Sequence, residues 1–178
     1  MAVYYFLISP IQFMQLTDYS DYSLRVLTYL GLKGEKLATI SEIAECYDIS
    51  RNHIVKVVHR LGQLGYIETL RGKNGGLRLA RSPEAINVGE VIRHMEASMD
   101  IVECFGENNL CIISPNCVLR TAMNEALSAF LAVLDGYTLA DLLAPQRHLW
   151  KRLSHTLVPD SSRPKYSINR GNPPKNAD

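Results

Sequence analysis

A chain of 178 residues that is 47% apolar can bury one good core and carry one further small element. No run of eighteen apolar residues occurs, so no membrane-spanning helix is expected. The net charge of +1 is unevenly spread: Arg51, Lys56, Arg60, Arg71, Lys73, Arg78 and Arg81 stand against the single acid Glu68 between positions 51 and 81, a local +6 that leaves −5 elsewhere.

The first thirteen residues are apolar but lack a positive leading segment and a small-residue cleavage site, so they do not read as a signal peptide. They are expected to be an over-extended start, with Met14 a plausible initiator, and the protein is expected in the cytoplasm. Thr17 can cap a first helix over 18 to 32, with Leu24, Leu27 and Leu30 turned inward and Gly34 near its end. Asp21 falls in its first turn, where an acid complements the helix dipole. Thr39 and Glu42 then form a capping box that opens a short helix with Ile40, Ile43, Ala44 and Tyr47 on one face. Cys46 within it reads as a small buried hydrophobe.

After a tight turn at 47 to 50, Ser50 caps a third helix reaching about 64. Ile54, Val57, Val58, Leu61 and Leu64 follow helical spacing, and Arg51, Asn52, His53, Lys56, His59 and Arg60 are left facing outward. Short helix, short turn and longer basic helix make a helix-turn-helix layout. Residues 66 to 70 then alternate as a strand, RGKNGG at 71 to 76 turns, and 77 to 80 return as a second strand. A hairpin directly behind a recognition helix is a wing, and Arg71, Lys73 and Asn74 at its tip suit a narrow, negative minor groove. The glycine run lacks the spacing and the following helix of a nucleotide-binding loop.

A short helix over 87 to 97 carries Val88, Val91, Ile92 and Met95 inward. Beyond it, Cys104, Cys111 and Cys117 fall within fourteen residues of polar loop formers, in a chain with four cysteines in all. Thiolates are soft ligands that suit zinc or iron-sulfur centres, and three on one short loop can close on a centre with little loss of entropy. Ser114 and Pro115 read as the N-cap and first position of the next helix, which puts Cys117 at the third position, where free N–H groups favour a thiolate. Structural or free thiols are the plain alternative. Disulfides leave one thiol over, and zinc lacks its usual paired C-x-x-C units or His pair, so the loop looks more like an iron-sulfur site awaiting a fourth ligand.

The next helix, to about 134, steps by four and three through Leu119, Met123, Ala126, Phe130 and Val133, as in a helix-helix seam. A dimer helix is the natural reading, with burial inside the same domain as the alternative. Gly136 ends it, a short capped helix follows at 137 to 143, and the Pro, Ser, Asn and Lys content beyond 151 reads as a disordered tail. The expected plan is therefore an extension (1–13), a winged helix-turn-helix DNA-binding domain (14–99), a cluster loop (100–117), a dimerisation helix with a short C-terminal helix (115–150) and a tail (151–178), mainly α with a two-stranded wing.

The order MQLT at 14 to 17, SRNH at 50 to 53, RGKNGG at 71 to 76, three loop cysteines and YTLAD at 137 to 141 resembles the winged-helix iron-sulfur repressors, most closely their nitric-oxide-sensing branch. The resemblance spans about residues 14 to 150. It implies a homodimer on a palindromic operator of double-stranded DNA, with Cys104, Cys111 and Cys117 holding a 2Fe-2S or 4Fe-4S cluster. It further implies that the partner subunit's Asp21 can complete the cluster as an oxygen ligand, and that nitric oxide, acting on the cluster, releases DNA. Another branch carries a histidine three residues beyond its last cysteine; here that position is Arg120, which cannot ligate. In this scheme Ser50 caps the reading helix, Arg51, Asn52, His53 and Lys56 dock in the major groove, Asn52 and His53 are candidates for base edges, and Lys56 and Arg60 for phosphate. Two other classes stay open: a regulator of the same fold reading another redox, thiol or metal signal, and a redox protein using the cluster for electron transfer. No catalytic constellation or cofactor fingerprint marks the chain as an enzyme.

Overall fold

The computed structural model describes residues 15–106, 109–145, 148, 149, 151 and 153. The expected N-terminal extension and nearly all of the expected tail lie outside the described residues. The elements run α1 (Asp18–Lys33), α2 (Ile40–Tyr47), α3 (Arg51–Gln63), β1 (Ile67–Leu70), β2 (Gly76–Leu79), α4 (Val88–Met95), α5 (Val118–Asp135) and α6 (Leu139–Leu143). Short 3-10 turns occur at Pro83–Ala85, Glu103–Phe105 and Ser114–Asn116. The fold is mainly helical with one antiparallel hairpin, and among the described residues no helix is long and apolar enough to cross a membrane.

α1 is the central post of the head. Thr17 caps it by accepting the Ser20 N–H at 3.4 Å, and the Glu96 carboxylate accepts from both the backbone and hydroxyl of Thr17. Val26, Leu27 and Leu30 are fully buried against α3, α4 and α6. Ile54, Val57 and Leu61 of α3, Ile43 of α2, Val91 of α4 and Tyr66 complete this core, each removed from water as the helical spacing requires. Cys46 is buried with them.

The capping box of α2 also ties it to α1. Glu42 closes the box with Thr39, accepts from the Tyr29 hydroxyl at 3.0 Å and pairs with Lys33. Burial pushes the Glu42 carboxyl up, but hydrogen bonds from Lys33, the Thr39 backbone and Tyr29 outweigh it and hold the group below its ordinary value.

In the wing, Ile67 pairs with Leu79 and Leu70 with Gly76. Ala38, just ahead of α2, adds a third rung by exchanging hydrogen bonds with Leu77 at 3.0 and 2.8 Å. That rung explains Gly76, where a Cβ would lie 2.8 Å from the Ala38 carbonyl oxygen. The turn itself needs Gly72 and Asn74 at φ of 103° and 71°, a region that side chains other than glycine and asparagine seldom adopt.

α5 is built differently. No residue along it is buried, and it meets the head through α4. Asp135 binds Arg93 of α4 through two bonds of 3.1 and 2.6 Å, and its carbonyl accepts from the Asn87 amide at 2.7 Å. An acid at a helix C-terminus opposes the dipole, so the Arg93 charge is what stabilises it there. Gly89 lets the helices approach, since a Cβ there would fall 2.1 Å from the Asp135 carboxylate.

Candidate nucleic-acid interface and metal centre

α3 presents Arg51, Asn52, Lys56, His59 and Arg60 to solvent, and Arg71, Lys73 and Asn74 are exposed at the wing tip. Of the seven cations counted between 51 and 81, two are engaged inside the fold: Arg78 pairs with Glu68 across the hairpin, and Arg81 is bound to the end of α3. Arg51, Lys56, Arg60, Arg71 and Lys73 make no ion pair among the described residues. They are the charge available to phosphates.

His53 departs from the outward placing expected for it. Its ring lies against Tyr22 of α1, 6.1 Å between centroids, and its Nδ1 is buried without a hydrogen-bond partner among the described residues. Position 53 borders the buried stripe of α3, and the neighbouring α1 packs over it. Ser50 accepts from the His53 N–H at 3.4 Å as the expected cap.

The far end of α3 is gripped by residues that local pattern does not reveal. Arg81 donates to the carbonyls of Leu64 and Gly65, both at 3.0 Å, and its guanidinium lies 4.7 Å from the Tyr66 ring centroid. The Tyr66 hydroxyl shares a 2.8 Å hydrogen bond with His94 of α4. Burial, reinforced by Glu90 nearby, pushes the Tyr66 phenol far above its ordinary value and keeps it neutral. Arg93, the next residue on α4, holds Asp135. A continuous set of contacts therefore runs from the end of α3 through α4 to the end of α5.

The three loop thiols lie just ahead of α5. Cys104 is half-buried in the turn Glu103–Phe105, and its carbonyl accepts from Arg120 at 3.2 Å. Cys111 is exposed; its N–H donates to the Asn109 side chain at 2.9 Å, and the same side chain donates to Ser114 at 2.7 Å. Cys117 is half-buried and stands at the N-cap of α5, not at the third helical position expected from Ser114 and Pro115. Those two residues instead open a separate 3-10 turn, and the extended backbone of Cys117 separates that turn from α5.

Among the described residues, no three His, Cys, Asp or Glu side chains lie close enough to hold a metal ion. The donors nevertheless fit a soft metal centre in kind. All three are free thiols on one loop, and Cys117 borders an open cleft of about 750 Å³ shared with Phe105, Ser114 and Arg120. Asp21 sits apart on α1, where Arg25 holds it at 2.7 Å while its side chain stays 44% exposed.

Comparison with known proteins follows the same outline. The HTH-type transcriptional regulator NsrR of Bacillus licheniformis is 56% identical over 143 residues, spanning 79% of this chain and 100% of that protein. Its namesake in Bacillus subtilis is 57% identical over 143 residues, spanning 79% and 97%. The solved structure of CymR, the global cysteine regulator of B. subtilis, matches with a TM-score of 0.60 at 27% identity, over 73% of this chain and 96% of that one. T. potens IscR matches with a TM-score of 0.60 at 26% identity, over 73% and 86%. The model of the Rrf2 family, described as iron-dependent transcriptional regulators, matches residues 16–145, and the chain belongs to that family.

Proposed function

We propose that the protein is a nitric-oxide-sensitive transcriptional repressor that acts as a homodimer on a palindromic operator. The observation that carries this reading is the bare apolar face of α5. Leu119, Phe130 and Val133 are 61%, 42% and 62% exposed, in the seam expected for a dimer helix, and the helix is joined to the basic head through Asp135. A second copy laid along that seam covers the apolar face and sets two recognition helices at one fixed separation, for which half-sites about 34 Å apart or a multiple of it are the geometric match.

In each protomer Arg51 and Asn52 face the major groove, Lys56 and Arg60 serve phosphates, Ser50 and His53 hold the start of α3, and Arg71, Lys73 and Asn74 reach the flanking minor groove. Cys104, Cys111 and Cys117 are the residues that would hold an iron-sulfur cluster, and Asp21 of the partner subunit is the candidate oxygen ligand. When bound, such a cluster would supply iron able to react with nitric oxide. The chain's own part is mechanical: the cysteine loop leads directly into α5, and α5 leads through Asp135, Arg93 and Tyr66 to the end of α3. Coupling of about 2.7 kcal/mol along that route changes operator affinity 100-fold, within the usual allosteric range.

The test is a pair of substitutions in oxygen-free protein. Cys111→Ala is expected to lose iron and bind operator about 100-fold more weakly, and Asp21→Ala to change the visible spectrum and the reaction with nitric oxide. Parent-like iron content and affinity in the first variant removes the cluster switch. A spectrum and reactivity unchanged in the second removes Asp21 as a ligand.

A further inference from the structure

We propose that Val55 is a specificity-determining residue of the DNA face, its isopropyl group packing on the 5-methyl group of a thymine in the major groove. The inference rests on the reading of α3 as a recognition helix. Ile54, Val57, Val58 and Leu61 of that helix are at most 7% exposed, whereas Val55 is 40% exposed. Core packing therefore accounts for four of its large apolar side chains and leaves the fifth partly exposed, on the rim of a shallow cleft between α3 and the wing that His59 and Thr69 also line.

Single exposed apolar residues are ordinary on a protein surface. Val55 differs in where it stands. Arg51 lies four positions before it, Asn52 three before and His59 four after, all exposed, and residues at those spacings share one helix face. The valine is thus in the middle of the polar row offered to DNA. It can neither donate a hydrogen bond nor neutralise a phosphate. What the major groove presents to an apolar group is the thymine methyl, absent from the other three bases.

The side chain is also held ready. Valine in a helix is largely confined to one χ1 rotamer, so little freedom is lost on contact. α3 itself is fixed at both ends and in the middle: by Ser50, by Arg81 on the Leu64 and Gly65 carbonyls, and by the Tyr19 hydroxyl donating to the Lys56 carbonyl at 2.9 Å. A rigid helix with a rigid apolar group suits shape-selective contact.

Duplexes that bind the full chain would first be selected from a randomised pool. Deoxyuridine then replaces each thymine of the selected duplex in turn, deleting one methyl while keeping every hydrogen-bonding edge. The parent is expected to lose roughly three- to tenfold in affinity at one thymine per half-site, the scale of one or two buried methyl groups. Val55→Ala, which improves helix propensity, should show no such loss at that position, and Val55→Thr, which keeps one methyl, should show part of it. Tolerance of deoxyuridine everywhere, or an equal loss in Val55→Ala, overturns the assignment while leaving DNA binding intact. If no duplex is enriched, the DNA reading itself fails and takes the assignment with it.

Discussion

From α1 to α4 the chain closes on itself: Val26, Leu27, Ile43, Ile54, Val57, Leu61, Tyr66 and Val91 are out of contact with water, and each helix is capped or tied by a named side chain. From the cysteine loop through α5 it does the opposite. Leu110, Ile112, Val118 and Leu119 are 61 to 94% exposed, and no α5 residue is buried. The hydrophobic effect that holds the head together is thus left unsatisfied in the second region. The head therefore buries its own apolar surface, whereas the loop and α5 leave theirs exposed. A second copy and a metal centre are the two additions proposed here.

The widest separation between the regions should appear on truncating a side chain in each. Ile54→Ala, in the head, is expected to cost about 2–5 kcal/mol in a denaturant titration, because it leaves a cavity in a closed core. Leu119→Ala should change monomer stability by less than about 0.5 kcal/mol and act on self-association instead. Sedimentation equilibrium on Leu119→Asp sharpens this: a buried, unpaired charge in the seam should weaken dimerisation at least about 100-fold. Wild-type association in that variant would remove α5 from the interface.

A smaller effect is expected where the regions join. Asp135→Ala breaks a half-exposed pair with Arg93, so stability should fall by no more than about 1 kcal/mol. Operator affinity should still drop about fivefold, the lower end of allosteric coupling, while iron content stays at the parent level. Equal affinity would mean that α5 and α3 communicate by another route.

The smallest effect lies inside the head. The folded Glu42 carboxyl is held below its ordinary value, so its contribution to stability is present above the unfolded pKa, near 4.3, and is lost as pH falls through the lowered folded value. Glu42→Gln should flatten the acid limb of a stability-against-pH curve between about pH 4.3 and the lowered value. An unchanged limb would place the acid sensitivity elsewhere.

The two regions were also unequally readable from the chain. Thr17, the Thr39 and Glu42 box, Ser50 and the apolar spacing of α3 are local signals, and the first three helices start where they stand. Cys117 falls at the N-cap and not inside the helix because Ser114 and Pro115 open a 3-10 turn as readily as an α-helix. The bonds that organise the loop around Ser114, from Asn109 and to the Cys111 carbonyl, have no sequence periodicity. His53 is drawn inward by Tyr22, which lies 31 positions earlier in the chain. The joints of Arg81 on the end of α3 and Asp135 on Arg93 span 16 or more residues and leave no pattern in any window. Val55 stands between buried Ile54 and exposed Lys56, and its apolar side chain gives no sequence signal of the exposed face it occupies.

Metal held by Cys104, Cys111 and Cys117 is proposed to govern how tightly the head binds DNA. The most direct measurement combines an iron and sulfide count on protein purified without oxygen with operator affinity before and after nitric oxide. Coloured protein carrying both elements is expected, with an affinity that falls about 100-fold as the colour changes. Colourless, iron-free protein that binds the operator and still releases it to nitric oxide would contradict it.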